Sequence, residues 1–410
     1  MTGASEMASA GEHMRMLRSL IGPLCLCATV AGRAIGAEAD GSAVCPAETA
    51  KQVAAGAQAS FSAEVGDKLR DLCAKHEFSG VVLVARGGRQ MFAGAYGFSD
   101  RAREIHNSLD TKFRIASDNK MFTAVGVLQL AERGKIQLDN TVGRYLPEYP
   151  NKDFASRVTV RQLLNHTAGA GGIWGPEFET HRLELRTLED YERLNGSRNP
   201  EFPPGSKFAY SNYGYILLGL IIEKVSGQNY YDYVRQHVFR IAGMKSTDSE
   251  PEDVPVPRRA IGYSKHVGNS GEWQSAADTF PYRGTSAGGG YSTAHDLLQF
   301  ATALFGNRLL SKRWTDVLTT GSVDMDWPGF KYACGFMDTV QEGVRWVGHS
   351  GGAPGVNAEF WVSPMRDDVI LNCFHAASAG SCPSVAGVQS APTADSRPGK
   401  STGPRRSPGW

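Results

Sequence analysis

Residues 113–139 read FRIASDNKMFTAVGVLQLAERGKIQLD, and their spacing predicts the clearest helix of the chain. Within Ile115 to Arg133, the residues Met121, Val125 and Leu128 recur at i, i+4 and i+7, the period of one helical face. Gly134 follows where a left-handed residue would stop the helix. Ser117 and Lys120 stand near its start, and their separation places them on one face about one turn apart. That spacing suits a nucleophile and its base. A serine hydroxyl is weak until a neighbour takes its proton, and a lysine does so only where burial or nearby positive charge favours its neutral form. A helix N-terminus adds favourable electrostatics for charge developing at Ser117. Alone, Ser-x-x-Lys carries little weight, because a chain this long holds about one chance match. The ordinary alternative is a capping serine beside a solvated lysine.

Upstream, Gly80-Val81-Val82-Leu83-Val84-Ala85 is a β-branched run, Gly87-Gly88 a turn, and Gln90 to Tyr96 a second strand, the pattern of an antiparallel hairpin. Val65, Leu69 and Leu72 give a helix from Val65 to His76 one apolar face. Downstream, Tyr213 to Val225 (YGYILLGLIIEKV) is apolar nearly all round and is closed by Gly227, which predicts a helix buried inside a large body. Between these helices, Asn140 to Pro204 is broken by Pro147, Pro150, Pro200, Pro203 and Pro204 and reads as short helices and loops. Helical sequence from Thr293 to Leu304 precedes strands at Tyr332 to Met337, Val344 to Gly348, Glu359 to Ser363 and Val369 to Cys373. This order predicts one sheet built from both ends of the chain, with a helical insertion between them.

Two further segments carry chemistry. Tyr210-Ser211-Asn212 opens the buried helix, where a phenol and an amide can serve as proton relay and substrate clamp; a turn residue and an aromatic anchor are the plainer reading. His349-Ser350-Gly351-Gly352 follows the strand Val344 to Gly348. Its glycines permit close approach to a ligand, so the Gly352 N–H could form an oxyanion hole with the Ser117 N–H, against an ordinary glycine-rich turn. His166 reads as a loop-stabilising histidine, with contact to the site as the alternative, His295 as a helix-start residue, and Asp118 and Asn119 as residues that shape the helix entrance. Trp174 is a candidate for lining a cleft.

The 410 residues carry 43 Lys+Arg against 42 Asp+Glu, a formal charge of +1, and no basic block follows a phosphate backbone, which argues against a nucleic-acid partner. Hydrophobic residues at 41% and aromatics at 10% describe a globular protein and exclude collagen, coiled coil and wholesale disorder. Met14-Arg15-Met16-Leu17-Arg18, the apolar run Leu20 to Ala31 and the small residues of Ala37-Glu38-Ala39 have the shape of a secretory signal. This predicts cleavage near Ala39 and a periplasmic or secreted protein with no stable membrane span. Cys25 and Cys27 would leave with the signal, and Cys45, Cys73, Cys334, Cys373 and Cys382 would remain. An odd set cannot all pair within one chain; Cys334 and Cys373 are possible neighbours, with buried free thiols the alternative. No spacing implies a zinc or other metal site. Ala376 to Trp410 has almost no large apolar side chains and reads as disordered.

Taken in order, FRIASDNKMFTAVGVLQLAERGKIQLD, VTVRQLLNHTAG, FPPGSKFAYSNYGYILLGLIIEKVSG, GGGYSTAHDLLQFA and VGHSGGAPGVNAEFWVSP resemble the penicillin-recognising serine hydrolases: class C β-lactamases, D-Ala-D-Ala carboxypeptidases and family VIII carboxylesterases. The resemblance runs from Phe78 to Cys373. It implies an α+β fold, a mostly antiparallel sheet flanked by helices with an all-helical lobe. The corresponding organisation is a leader over 1–39, a hydrolase domain over 55–375 and a disordered tail over 376–410. Within the domain, an α/β lobe takes 55–139 and 285–375, and a helical lobe takes 140–284. The resemblance also implies Ser117 as the acylated nucleophile, Lys120 as base, and Tyr210 as relay to the leaving group or deacylating water. Asn212 would hold the substrate amide or the lysine, and His349, Ser350, Gly351 and Gly352 would bind substrate. Which of Lys120 and Tyr210 is the acylation base stays open. The substrate would be an ester, a β-lactam or a D-amino-acid peptide, and no cofactor is required.

Two features depart from that family. His349 stands where β-lactamases usually have lysine; a histidine near its ordinary pKa of about 6.5 is mostly neutral at pH 7 and attracts a carboxylate less firmly. Nothing helix-like follows Phe374, where the family closes its sheet with a helix, so one sheet face is expected to lie uncovered. A catalytically silent protein that binds penicillin or peptidoglycan fragments with the same fold is the second reading. An α/β-hydrolase is excluded, because Ser117 lies in Ile-Ala-Ser-Asp-Asn and not in Gly-x-Ser-x-Gly.

Overall fold

Strands β1 (Ser79–Arg86) and β2 (Arg89–Tyr96) form the expected hairpin. It turns on Gly87 and Gly88, whose φ values of 57° and 71° suit the twist of a two-residue connection and fall where side chains are strained. The computed structural model describes residues 47–265, 267 and 272–375. The expected leader, Cys25, Cys27, Cys45, Cys382 and the 376–410 tail lie outside the described residues.

β1 is buried from Gly80 to Ala85, and its outer edge pairs antiparallel with the last strand, so the two ends of the chain meet. With β3 (Phe113–Arg114), β4 (Tyr291–Ser292), β5 (Val323–Asp324), β6 (Phe330–Tyr332), β7 (Met337–Gln341), β8 (Val344–Ala353), β9 (Val356–Ser363) and β10 (Asp368–His375), the main sheet has the order β2-β1-β10-β9-β8-β7-β6-β5. All its pairings are antiparallel. β3 and β4 pair separately, beside the serine. This is the α+β sheet flanked by helices that the sequence predicts.

Alternation along the strands divides the core in two. Val81, Leu83, Phe360, Val362 and Leu371 pack with Met121, Val125, Leu297 and Phe300 of two central helices. Val82, Val84, Trp346, Trp361 and Ile370 point the other way and are buried with Phe61, Val65 and Leu69. These last three belong to α1 (Ala47–Ala74), so the face expected to lie uncovered is buried at these residues.

The helix expected from Ile115 starts four residues later. A 3₁₀ turn, Ala116–Asp118, leads into α2 (Asn119–Glu132). Every residue of α2 from Asn119 to Ala131 is buried, so its i, i+4, i+7 pattern marks a helix enclosed on all sides and not one apolar face. α3 (Asn212–Ser226) is capped by the Ser211 hydroxyl and ends at Gly227, φ 71°, the stop its sequence predicts. The proline-broken middle forms five short helices between Val142 and Asn195, two of them opened by capping boxes at Thr159 and Thr187. α4 (Ala294–Phe305) is capped by Thr293.

Two strand expectations need correction. Tyr332 to Met337 is not one strand, because the chain turns through Ala333–Phe336 to make the β6–β7 hairpin. At the turn, Gly335 has φ 75°, and a Cβ there would lie 2.7 Å from that of Ala124. The strand at Val344 continues past Gly348 to Ala353, and Ser350, Gly351 and Gly352 pair with Glu359, Ala358 and Asn357. The His-Ser-Gly-Gly segment therefore lies inside β8, and the turn comes at Pro354-Gly355. Cys334 is a buried free thiol and Cys73 is also free, so Cys334 makes no bridge to Cys373. Among the described residues no helix is long and apolar enough to cross a membrane, and no group of three or more His, Cys, Asp or Glu could hold a metal ion.

Candidate active site

Ser117 stands in the tight turn between β3 and α2, 6% exposed. Ala116 before it adopts φ 41°, a left-handed conformation uncommon for an L-residue and held here by its neighbours. Gly289 N–H donates to Ala116 O at 3.1 Å, and Asp118 N–H donates to Ile115 O at 3.0 Å. β8 presses on the same turn: a Cβ at Gly351 would sit 2.1 Å from Ile115 O and 3.0 Å from Ser117 N. Only glycine allows that approach.

Lys120 is fully buried. Its Nζ lies 2.6 Å from Ala287 O, 2.7 Å from Asn212 Oδ1 and 3.1 Å from Ser117 Oγ. The two shorter contacts end on oxygens that only accept, so Nζ donates to both. The Ser117 hydroxyl lies 3.1 Å from the same nitrogen, within reach of the lone pair of a neutral amine. The Tyr210 ring centroid lies 4.7 Å from Nζ, and that of Tyr215 5.5 Å away. Ser117, Lys120, Tyr210 and Asn212, separated by up to 95 positions in the chain, thus meet around one amine.

His166 braces this cluster from behind. Its ring lies 4.4 Å from Tyr210 and 4.5 Å from Tyr332, and its Nδ1 accepts from the Ser211 N–H at 3.1 Å. The ring is 1% exposed; burial, then the nearby Lys120, hold its pKa well below the ordinary value, so it is neutral. The residue read from sequence as loop-stabilising orients the backbone between Tyr210 and Asn212.

His349 is 1% exposed and turns inward from β8. Ser350 O can only accept, so the 2.7 Å contact places the proton on Nδ1, and Nε2 accepts from Tyr332 Oη at 3.0 Å. Burial, reinforced by the Lys120 charge, pushes its pKa down to about 3. The imidazole is therefore uncharged, in line with the sequence expectation of a mostly neutral histidine at this position. Asp118 Oδ1 lies 3.9 Å from His349 Nδ1, and neither Asp118 oxygen has a hydrogen-bond partner among the described residues. Burial, with Glu359 close by, raises the Asp118 pKa well above the carboxylate range. Burial likewise pushes Glu359 up to about 8, against the hydrogen bond from Trp361 Nε1.

A cleft opens over Ser117. Asn212, Gly352, Trp174, Ile173, Phe280 and Val356 line it, whereas His349, Ser350 and Gly351 do not. Trp174 packs edge-on to Phe178 with centroids 4.6 Å apart. His295 is exposed at the start of α4, far from this chemistry in its contacts.

Sequence reading passed over the loop Thr285–Gly290 and Arg114. The loop supplies the Ala287 acceptor and, through Gly288 and Gly289, part of the cleft wall. Asn119 holds it by Nδ2 contacts to Thr285 O and Ser249 Oγ at 3.4 and 3.5 Å. The run Gly288-Gly289-Gly290 was the available signal, since a Cβ at Gly290 would meet the Asn119 amide at 2.7 Å. Arg114 lines the cleft three residues before the serine.

The Beta-lactamase family model matches residues 64–375. Penicillin-binding protein 4* of Bacillus subtilis is 30% identical, over 68% of this chain and 64% of its own length, so the chain spans less than two thirds of that relative. Among solved structures, a penicillin binding protein from Bacillus halodurans is 31% identical with a TM-score of 0.69, over 76% of this chain and 95% of that one. A D-stereospecific amidohydrolase from Streptomyces sp. is 28% identical with a TM-score of 0.64, over 75% and 93% of the two chains. A family match that runs from α1 to the last strand, and encloses every residue of the cluster around Lys120, means that this chain belongs to the beta-lactamase family.

Proposed function

We propose that this protein is a serine hydrolase that forms an acyl-enzyme on Ser117. The observation that supports this reading is the lysine geometry: Ala287 O and Asn212 Oδ1 accept from Nζ at 2.6 and 2.7 Å, and the Ser117 hydroxyl lies 3.1 Å from the same nitrogen. Lys120 takes the hydroxyl proton as Oγ bonds to the substrate carbonyl carbon. The oxyanion is met by the N–H groups of Ser117 and Gly352. Tyr210, against the ammonium so formed, passes a proton to the leaving group, whose bond to carbon then breaks. Water attacks the acyl-enzyme with the proton path reversed and frees Ser117. Asn212 holds Lys120 and reaches the cleft where a substrate amide would lie. His349 acts from behind β8 by fixing Tyr332, and Ser350 and Gly351 set the strand that carries Gly352.

The substrate class is an ester, an amide or a D-amino-acid peptide, a reading the similarity to a D-stereospecific amidohydrolase supports for amides; the uncharged His349 disfavours efficient turnover of β-lactams through their carboxylate. The test is a panel of p-nitrophenyl esters, nitrocefin and a D-Ala-D-Ala peptide, with Ser117→Ala alongside. Hydrolysis of at least one substrate that the variant abolishes is expected, together with fluorophosphonate labelling at Ser117. Labelling or penicillin capture without turnover would favour the silent binding protein, and wild-type rates in Ser117→Ala would remove the serine from the mechanism.

A further inference from the structure

The cleft over Ser117 does not end at its apolar wall. Arg114 and Phe280 are shared with a second, open pocket, lined also by Glu252, Arg259, Ala260 and Ile261. The two guanidiniums converge on a single carboxylate. Arg114 Nη2 donates to Glu252 Oε1, while Arg259 donates to Oε2 at 3.0 Å and to Oε1 at 3.4 Å. Among the described residues, Glu252 is the one carboxylate in ion-pair contact with either arginine. The nearby Asp248 and Glu250 are held by Arg235. At Glu252 itself, two guanidiniums meet one carboxylate.

Both guanidiniums are largely withdrawn from water. The Arg114 side chain is 7% exposed and that of Arg259 17%, and the Arg114 guanidinium lies 4.2 Å from the Phe280 ring centroid. Its other acceptor is a backbone carbonyl, Gly289 O at 3.2 Å. Burial, opposed by Glu252 and aided by Arg259, lowers the Arg114 pKa, as expected of a cation that its surroundings neutralise incompletely. A guanidinium held this way has fork geometry ready for an incoming carboxylate. The other candidate cations of the site are committed elsewhere: Lys120 lies behind Ser117 and His349 is neutral.

We propose that Arg114 and Arg259 form an anionic subsite, which takes a carboxylate carried by the substrate beyond an apolar segment lying along Phe280 and Val356. The preferred substrates are then ω-carboxy acyl compounds and not fully apolar esters. This deepens the hydrolase reading and rests on Ser117 being the group acylated.

The experiment uses the full chain and p-nitrophenyl esters of ω-carboxy acids from succinyl to suberyl, each paired with its methyl-capped, uncharged twin. A charge-assisted contact worth about 1.5–3 kcal/mol predicts, at the matching length, about a ten-fold or greater kcat/KM advantage for the carboxylate member. Arg259→Gln should remove most of that ratio and Arg259→Lys should restore part of it. Equal rates for the twins at every length, or an Arg259→Gln loss equal for both members, would overturn the subsite while leaving the nucleophile intact. If no ester is cleaved and Ser117 takes no fluorophosphonate, the hydrolase reading fails. The subsite is then judged by calorimetry with monomethyl suberate against dimethyl suberate: selective binding of the monoanion, lost in Arg259→Gln, supports it, and its absence overturns it.

Discussion

Burying His349 and Glu359 together should give opposite pH dependences of stability, which two substitutions can separate. His349 has its pKa pushed from 6.5 to about 3, so protonation favours the unfolded chain. Its contribution is complete above pH 6.5 and is lost as pH falls toward 3. At pH 5 an unfolded histidine is already protonated and the folded one is not, which costs about 2 kcal/mol relative to pH 7. Glu359 has its pKa pushed from 4.5 up to about 8. Its contribution is complete below 4.5 and is lost as pH rises through 8, so it falls by about 2–3 kcal/mol between pH 5 and 7. The two slopes nearly cancel in the wild type. His349→Gln removes the first and should leave a protein more stable at pH 5 than at pH 7. Glu359→Gln keeps an acceptor for Trp361 Nε1 and should leave one less stable at pH 5. His166 and Asp118, shifted in the same two directions, remain in both variants, so the divergence between the variants, about 4–5 kcal/mol over this range, is the quantity to measure. Urea titrations followed by tryptophan fluorescence at pH 5, 6 and 7 supply it. Parallel curves for the two variants would refute the assignment of uncharged forms to these buried groups.

Gly351→Ala should destabilise by about 1–3 kcal/mol, because its Cβ meets backbone atoms of Ile115 and Ser117 that have little room to yield; thermal unfolding reads the stability, and a larger loss in kcat than in KM reads the displaced oxyanion donors. Lys120→Met should slow fluorophosphonate labelling of Ser117 by about 10²–10⁴-fold, and it also leaves Ala287 O and Asn212 Oδ1 without their shared donor; an unchanged labelling rate would exclude Lys120 as base. Trp174→Ala should raise KM for aryl esters by about ten-fold, equivalent to about 1.4 kcal/mol of apolar contact, with little change in kcat; steady-state kinetics decides.

The local features were legible in the residues because the forces that set them act over a few positions. The Gly87-Gly88 hairpin, the Gly227 stop of α3, and the one-turn relation of Ser117 to Lys120 all follow from backbone geometry and i, i+3 spacing. The alternation of strands with helices was enough to bring both ends of the chain into one sheet. Tertiary packing decided what that spacing leaves open. Lys120 is held between Asn212 and Ala287, 92 and 167 positions away, and no local pattern predicts which acceptors fill an amine's directions. The His-Ser-Gly-Gly segment looks like a turn in one dimension, yet it is a strand, since β9 supplies a continuous ladder and the serine turn fills the space where side chains would stand. Whether His349 carries charge depends on how deeply its ring is enclosed. A residue's type sets what it can donate, accept or ionise, and only the surrounding fold sets how far water is excluded from it and which partner replaces that water.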